Sequence, residues 1–107
     1  MDNIKAEDLI VNRNQYSDCI VIDIRTKDEY DEWHIPETIN IPMPRLTDVM
    51  PTMNKNVKYL LLCHSGFKSK AAVTVLKTMG FCAASILGGI DHIRTFLDKS
   101  TNRKEVI

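Results

Sequence analysis

Residues 57–72 read VKYLLLCHSGFKSKAA, and this stretch decides the fold. It opens with a short, almost continuous apolar run, which is typical of a β-strand covered on both faces. Cys63 ends that run, and a polar turn follows. Apolar residues then recur at helical spacing over residues 70–79 and Gly80 supplies a stop, so we expect a helix with Ser69 as its N-cap. The stretch therefore predicts a buried strand, a turn and a helix, with a cysteine at the carboxyl end of the strand.

Two other apolar runs have the same character. Residues 19–24 read CIVIDI, and residues 81–87 read FCAASIL. Helical patterns separate the strands, and Thr26 to Glu29 has the form of a capping box that begins one of these helices. The resulting order is helix, strand, helix, short strand, helix, strand, helix, strand, helix. Right-handed βαβ crossovers of this kind predict an α/β domain with a mostly parallel sheet.

The length and the charge of the chain narrow the function classes. A chain of 107 residues is the usual size of one domain, so we expect a single domain over residues 1–107, with a polar, frayed tail from about residue 99. The 14 Lys and Arg residues balance 14 Asp and Glu residues, so no overall field favours nucleic acid or an acidic membrane surface. No apolar run is long enough to span a bilayer, and the first residues do not resemble a secretion signal. We therefore expect no nucleic-acid partner, no membrane partner and a cytoplasmic location.

Three cysteines, Cys19, Cys63 and Cys82, are the candidate reactive groups. Their odd number and wide spacing, with no Cys-x-x-Cys pair, argue against a disulfide framework and against a zinc site. We expect neither a metal nor a cofactor. Cys19 and Cys82 each begin a predicted strand, far in sequence from a turn that leads into a helix. We interpret both as small, buried apolar residues.

The position of Cys63 is different, because ligand sites of open α/β sheets lie where a strand turns into a helix. Backbone N–H groups of such a turn can point inward, and the helix adds its positive N-terminal end, so a thiolate or a bound anion is stabilised there. Lys68 and Lys70, together with His64 when it is protonated, add positive charge nearby. These groups would make Cys63 reactive. The alternative is that Cys63 is only a small apolar residue at the end of a strand.

Two stretches of the chain resemble the signatures of the rhodanese homology domain. The active-site half of that family is similar to residues 61–72, followed by Gly80-Phe81 and by residues 87–90. The first signature of the family is similar to residues 21–25, followed by Glu29-Tyr30, His34-Ile35-Pro36 and residues 40–42. Two signatures in the right order within one domain length are far more specific than a single short motif. The resemblance implies one rhodanese-like α/β domain, with a five-stranded, mainly parallel sheet and helices on both faces.

The resemblance also implies a sulfurtransferase cycle through a persulfide on Cys63. A small anionic donor such as thiosulfate, or a persulfide on a partner protein, passes its sulfane sulfur to Cys63, and a thiol or cyanide then removes it. The substrate-binding loop is implied to comprise His64, Ser65, Gly66, Phe67, Lys68 and Ser69. Asp23 and Arg25 are implied to support the pocket. The alternative within the family is a non-catalytic or redox-sensing interaction module.

Four residues depart from the family pattern. Trp33 and Glu37 occupy positions that usually hold glycine, so we expect a changed loop there, because a bulky residue tolerates positive φ poorly. Lys68 replaces the commoner arginine, and Ile93 stands where tryptophan is frequent. Phosphatases and arsenate reductases on related folds use a longer loop with an arginine six residues after the nucleophile. That position is Ser69 here, which disfavours both activities.

Overall fold

The computed structural model describes the backbone of residues 3–106 and the side chains of residues 3–99. Within that range five strands form one sheet in the order β1-β5-β4-β2-β3, and every neighbouring pair is parallel. The strands are β1 (Asn3–Lys5), β2 (Cys19–Asp23), β3 (Ile39–Asn40), β4 (Lys58–Leu62) and β5 (Cys82–Leu87). The predicted five-stranded α/β fold is confirmed. The sequence patterns missed β1, because a single apolar residue between two polar ones is too short a run to mark a strand.

Five α-helices connect and flank the strands in the described residues. They are α1 (Ala6–Val11), α2 (Lys27–Glu32), α3 (Leu46–Val49), α4 (Phe67–Thr78) and α5 (Gly89–Val106). None of these helices is long and apolar enough to cross a membrane. The predicted frayed tail, 99–107, falls almost wholly on residues whose side chains lie outside the described part of the chain.

Side chains alternate along β4 and build an apolar layer on each face of the sheet. Tyr59 and Leu61 belong to one cluster, which α3 and α4 cover, whereas Leu60 and Leu62 belong to the other, which α1 and α5 cover. All four side chains are buried, and burying each of the three leucines contributes roughly 1.5–3 kcal/mol. Ile93 of α5 is fully buried in the second layer. The sheet is therefore covered by helices on both faces, as expected.

Helices α2 and α4, which follow the neighbouring strands β2 and β4, begin in different ways. At α2 the predicted capping box is present: the Glu29 N–H donates to Thr26 Oγ1, and the Thr26 N–H donates to the Glu29 carboxylate. At α4 the prediction that Ser69 is the N-cap was wrong. Gly66 is the N-cap, and its φ of 88° turns the chain into the helix three residues earlier. Ser69 lies inside the first helical turn, and its hydroxyl donates to the Gly66 carbonyl.

Trp33 and Glu37, which replace two family glycines in the loop after α2, adopt different backbone conformations. Trp33 has a φ of −163°, which is extended backbone that any residue adopts. Glu37 has a φ of 65°, in the left-handed region that favours glycine. A residue other than glycine held there costs roughly 1–3 kcal/mol. The strain expected at both positions is therefore confined to Glu37.

Candidate active site

Cys63 follows the central strand directly. β4 lies between β5 and β2, and Cys63 stands at its carboxyl end with a side chain that is 3% exposed. Two backbone N–H groups donate to its Sγ, from Gly66 at 3.0 Å and from Ser69 at 3.3 Å. The N-terminus of the twelve-residue helix α4 adds partial positive charge on the same side. These donors stabilise a negative sulfur without any side-chain acid.

Two buried hydroxyls lie behind the sulfur. Cys63 Sγ donates to Ser69 Oγ at 3.4 Å, and Ser69 Oγ lies 2.6 Å from Ser85 Oγ. Both serines are fully buried, so their hydroxyl hydrogens must find partners inside the protein. Because a hydroxyl both donates and accepts, Ser69 Oγ can accept from the thiol or turn to donate to the thiolate. The sequence analysis missed Ser85, although a serine inside the apolar run of β5 was a usable signal.

Close packing against α5 fixes the shape of the loop. The Cys63 carbonyl accepts from the Ile90 N–H at 2.9 Å, and the His64 carbonyl accepts from the Asp91 N–H at 3.0 Å. A Cβ on Gly89 would lie 2.4 Å from the Cys63 carbonyl oxygen. A Cβ on Gly66 would lie 2.8 Å from the Gly88 nitrogen. The loop therefore needs glycine at both positions to approach the start of α5.

A buried ion pair supports the wall opposite the loop. Arg25 Nη2 donates to Asp23 Oδ2 at 2.9 Å and to the Trp33 carbonyl at 2.8 Å, and Arg25 Nε donates to Asp23 Oδ1 at 3.1 Å. The Asn40 amide donates to the carbonyls of both Asp23 and Arg25. Removing one partner of such a buried pair costs about 3–5 kcal/mol, because it leaves a buried charge without compensation. The pair joins β2, the loop after α2 and β3 at one edge of the sheet.

These segments enclose a cavity of about 840 Å³ that opens on Cys63. Cys63, His64, Ser65, Phe67 and Lys68 of the predicted loop line it. Gly66 and Ser69 do not line the cavity and instead contact Sγ from behind. The opposite wall comes from the β2–α2 segment and from the chain after β3, namely Ile24, Arg25, Thr26, Glu29, Pro42, Met43 and Pro44. The sequence analysis missed most of this wall, because only the tertiary fold brings these residues to the loop.

His64 lies between two carboxylates at the edge of the cavity. Its Nδ1 is 3.0 Å from Asp91 Oδ2, and its Nε2 is 3.9 Å from Glu29 Oε2. The pKa of Glu29 is lowered, first by the hydrogen bond from the Thr26 hydroxyl and also by the charges of His64 and Arg25. Asp91 is another site residue that the sequence analysis missed. It lies on α5, and no local pattern connects it with the loop.

The other two cysteines lie at the amino edge of the sheet, where the strands begin, whereas Cys63 lies at the carboxyl edge, where the strands end. Cys19 begins β2 and is half-buried, and burial raises the pKa of its thiol. Cys82 begins β5 and is exposed, so its interpretation as a buried residue was wrong. The first residue of β5 precedes the part of the strand that the helices cover. Among the described residues no group of three or more His, Cys, Asp or Glu side chains could hold a metal ion.

The sequence comparisons give relatives whose names refer to sulfur chemistry. YtwF of Bacillus subtilis, named a putative sulfurtransferase, is 31% identical over 70 residues, which are 65% of this chain and 68% of that protein. YrkF of the same organism, named a putative sulfur carrier protein, is 33% identical over 61 residues, which are 57% of this chain. The aligned part spans only 33% of YrkF.

The family and structure comparisons agree with the architecture. Residues 5–95 match the rhodanese-like domain family. The crystal structure of SSP1007 from Staphylococcus saprophyticus is similar with a TM-score of 0.81 and 28% identity, covering 87% of this chain and 93% of that one. The matched residues include both signatures and the turn at Cys63. The chain belongs to the rhodanese-like domain family.

Proposed function

We propose that this protein is a sulfurtransferase that carries sulfane sulfur as a persulfide on Cys63. The observation that carries the proposal is the environment of the Cys63 sulfur. Cys63 Sγ accepts hydrogen bonds from two backbone N–H groups at the start of a helix, and Cys63 lines a large cavity. The sulfurtransferase and sulfur-carrier names of the relatives support the same chemistry. An interaction module in which Cys63 is incidental would have no need of this arrangement, whereas a redox-sensing module would use the stabilised thiolate but not the sulfur-donor cavity.

With thiosulfate as the donor, the cycle has two displacements at sulfur. The Cys63 thiolate attacks the outer sulfur of thiosulfate, a new S–S bond forms, and sulfite leaves with the electron pair of the broken S–S bond. The product, Cys63–S–S⁻, carries its charge on the terminal sulfur. An acceptor thiolate then attacks that terminal sulfur, and Cys63 Sγ leaves as a thiolate. The two N–H donors stabilise Sγ when it begins the cycle and again when it leaves.

The cavity fits an anionic donor or a persulfide on a partner protein. Lys68 supplies a cation at the wall, and Phe67 beside it is 82% exposed. Met43 and Pro44 face the same space. A small ion such as thiosulfate cannot bury this apolar rim, whereas the apolar surface around a cysteine of a partner protein can pack against it. We therefore extend the proposal to sulfur exchange with a partner protein, in a reducing compartment such as the cytoplasm that suits free thiols.

Intact mass spectrometry of the native chain tests this function. Incubation with thiosulfate should add the mass of one sulfur atom, and adding a thiol acceptor should remove it. The Cys63→Ser chain should gain nothing under the same conditions, because a hydroxyl cannot hold sulfane sulfur. A wild-type chain that stays at its original mass with both thiosulfate and a low-molecular-weight persulfide would overturn the proposal in favour of the interaction-module alternative.

A further inference from the structure

Asp91 contacts both the backbone and the side chain of His64. The Asp91 N–H donates to the His64 carbonyl at 3.0 Å, and Asp91 Oδ2 lies 3.0 Å from His64 Nδ1. An ionised carboxylate can only accept, so Nδ1 carries the proton of this hydrogen bond. In the neutral ring the other nitrogen, Nε2, is then an acceptor. The imidazole therefore has a fixed tautomer and a fixed backbone, although its side chain is exposed.

His64 also lines the reaction cavity. His64 and Cys63 both line it, and they are adjacent in the chain. Nε2 lies 3.9 Å from Glu29 Oε2, which is beyond hydrogen-bond distance but close enough to stabilise a positive ring. The other Glu29 oxygen, Oε1, is occupied by Thr26. A base on a residue that lines the cavity, with a carboxylate that orients it, is an arrangement that suits proton transfer.

We propose that His64 is the general base that deprotonates the acceptor thiol, and that Asp91 is the residue that positions it. The inference rests on the proposed sulfur transfer and assigns a base to its second step, in which an acceptor thiol removes the sulfur from Cys63. A neutral thiol R–SH gives its proton to His64 Nε2, and R–S⁻ attacks the terminal sulfur of Cys63–S–S⁻. The new S–S bond joins R–S to that sulfur, and Cys63 Sγ leaves as a thiolate. The imidazolium returns its proton to the departing R–S–S⁻, so protons and charge balance.

The charged groups around the ring favour this cycle. Asp91 of α5 and Glu29 of α2 face the imidazole with negative charge and stabilise the imidazolium once the proton has moved. Arg25 and Lys68 line the same cavity with positive charge. The ammonium of Lys68 attracts an incoming thiolate or an anionic donor, whereas the charge of Arg25 is already balanced by Asp23.

The test separates the two halves of the reaction in the full-length protein. Each chain is loaded with thiosulfate, freed of excess donor, and unloaded at pH 7 with either 2-mercaptoethanol or sulfite, while mass spectrometry follows the loss of sulfur. Sulfite attacks as an anion and needs no base. His64→Asn is the informative variant, because its side-chain amide keeps a donor near the position of Nδ1 for Asp91 and removes the base.

Unloading of His64→Asn by 2-mercaptoethanol should be slower by about 10²-fold, the usual contribution of one general base. The loss with sulfite should be at least about tenfold smaller, and raising the pH should restore the thiol reaction, because the thiol then ionises in solution. Asp91→Asn should slow unloading by 2-mercaptoethanol less than His64→Asn does, and it too should slow the reaction with the thiol more than the reaction with sulfite. Equal losses with both acceptors, or no loss with the thiol, would overturn the role of His64. A wild-type chain that never loads would instead overturn the sulfurtransferase proposal itself.

Discussion

The two edges of the sheet place the same residue type in opposite surroundings. At the carboxyl edge Cys63 is buried and accepts N–H groups from its own loop. At the amino edge Cys19 and Cys82 begin their strands on either side of Lys58 in the sheet register. Cys19 is half-buried and Cys82 is exposed. The difference between the two ends of the sheet is the turn into a helix, which places N–H donors around Cys63. We therefore expect the reactive thiol at Cys63, and we expect that neither the exposure of Cys82 nor the neighbouring Lys58 replaces those donors.

Exchanging each cysteine for serine should give the largest difference between the edges. Cys63→Ser should lose all sulfur transfer from thiosulfate to cyanide, because the variant has no atom that can carry the sulfur. Cys19→Ser and Cys82→Ser should keep turnover close to that of the wild type in a steady-state assay. Circular dichroism should show that all three variants are folded. Loss of turnover in a folded Cys82→Ser chain would show that the amino edge takes part in the reaction.

Adding one methyl group at a glycine of each edge should distinguish tight packing from backbone strain. Gly66 and Gly80 have nearly the same φ, 88° and 90°. A Cβ at Gly66 meets the Gly88 backbone at 2.8 Å, whereas a Cβ at Gly80 meets only the end of a lysine side chain at 3.4 Å. Gly80→Ala should lower the free energy of unfolding by roughly 1–3 kcal/mol, and Gly66→Ala by more.

Urea denaturation measures both free energies, and the transfer assay should show lost activity only for Gly66→Ala. Equal destabilisation of the two variants, with activity retained in both, would contradict the close approach of the Cys63 loop to α5.

The lysines of the two edges provide a smaller and more specific contrast. Lys68 lines the cavity, and Lys58 lies in the register between the two other cysteines. Lys68→Ala should raise KM for thiosulfate several-fold and change kcat less, because its charge attracts the donor while the backbone donors act on the reacting sulfur. Lys58→Ala is the matched control and should leave both constants near those of the wild type. Equal losses in kcat and kcat/KM for Lys68→Ala would show instead that the ammonium acts in the transition state.

The smallest expected effect concerns the pH dependence of the amino edge. Burial raises the pKa of the Cys19 thiol above its ordinary value, so less thiolate is present at a given pH in the folded chain than in the unfolded chain. In Cys63→Ser/Cys82→Ser, iodoacetamide should therefore modify Cys19 slowly near neutrality, and the rate should keep rising until the pH is above about 9. The same chain in urea is the control and should level off at a lower pH. Coincident pH profiles would contradict the burial of this thiol.

The sequence predicted features that are local in the chain. The strands over residues 19–24, 57–63 and 81–87 and the capping box at Thr26 were readable, because apolar runs and caps are properties of neighbouring residues. β1 was missed, since its pairing with β5 rather than its own pattern makes it a strand.

The errors and omissions at the site have a shared physical cause. Ser69 was assigned to the wrong position in its helix because the left-handed Gly66 begins α4 earlier. Ser85, Asp91 and the wall at Met43 come from elements far from Cys63 in sequence, and only the packing of the sheet and helices brings them to it. The position of Cys63 at a turn between a strand and a helix was therefore predictable from its own segment, whereas the residues that contact it from other elements were not. Its role as the nucleophile stays a prediction.

The most direct test of the account is to find where sulfur arrives in the native chain. Wild-type protein is incubated with thiosulfate, its persulfides are trapped by alkylation, and the peptides containing Cys19, Cys63 and Cys82 are quantified by mass spectrometry. We predict that the trapped sulfur lies on Cys63, with only background amounts on the exposed Cys82. An equal or greater amount on Cys82, in protein that remains folded, would contradict the claim that the carboxyl-edge turn makes Cys63 the sulfur carrier.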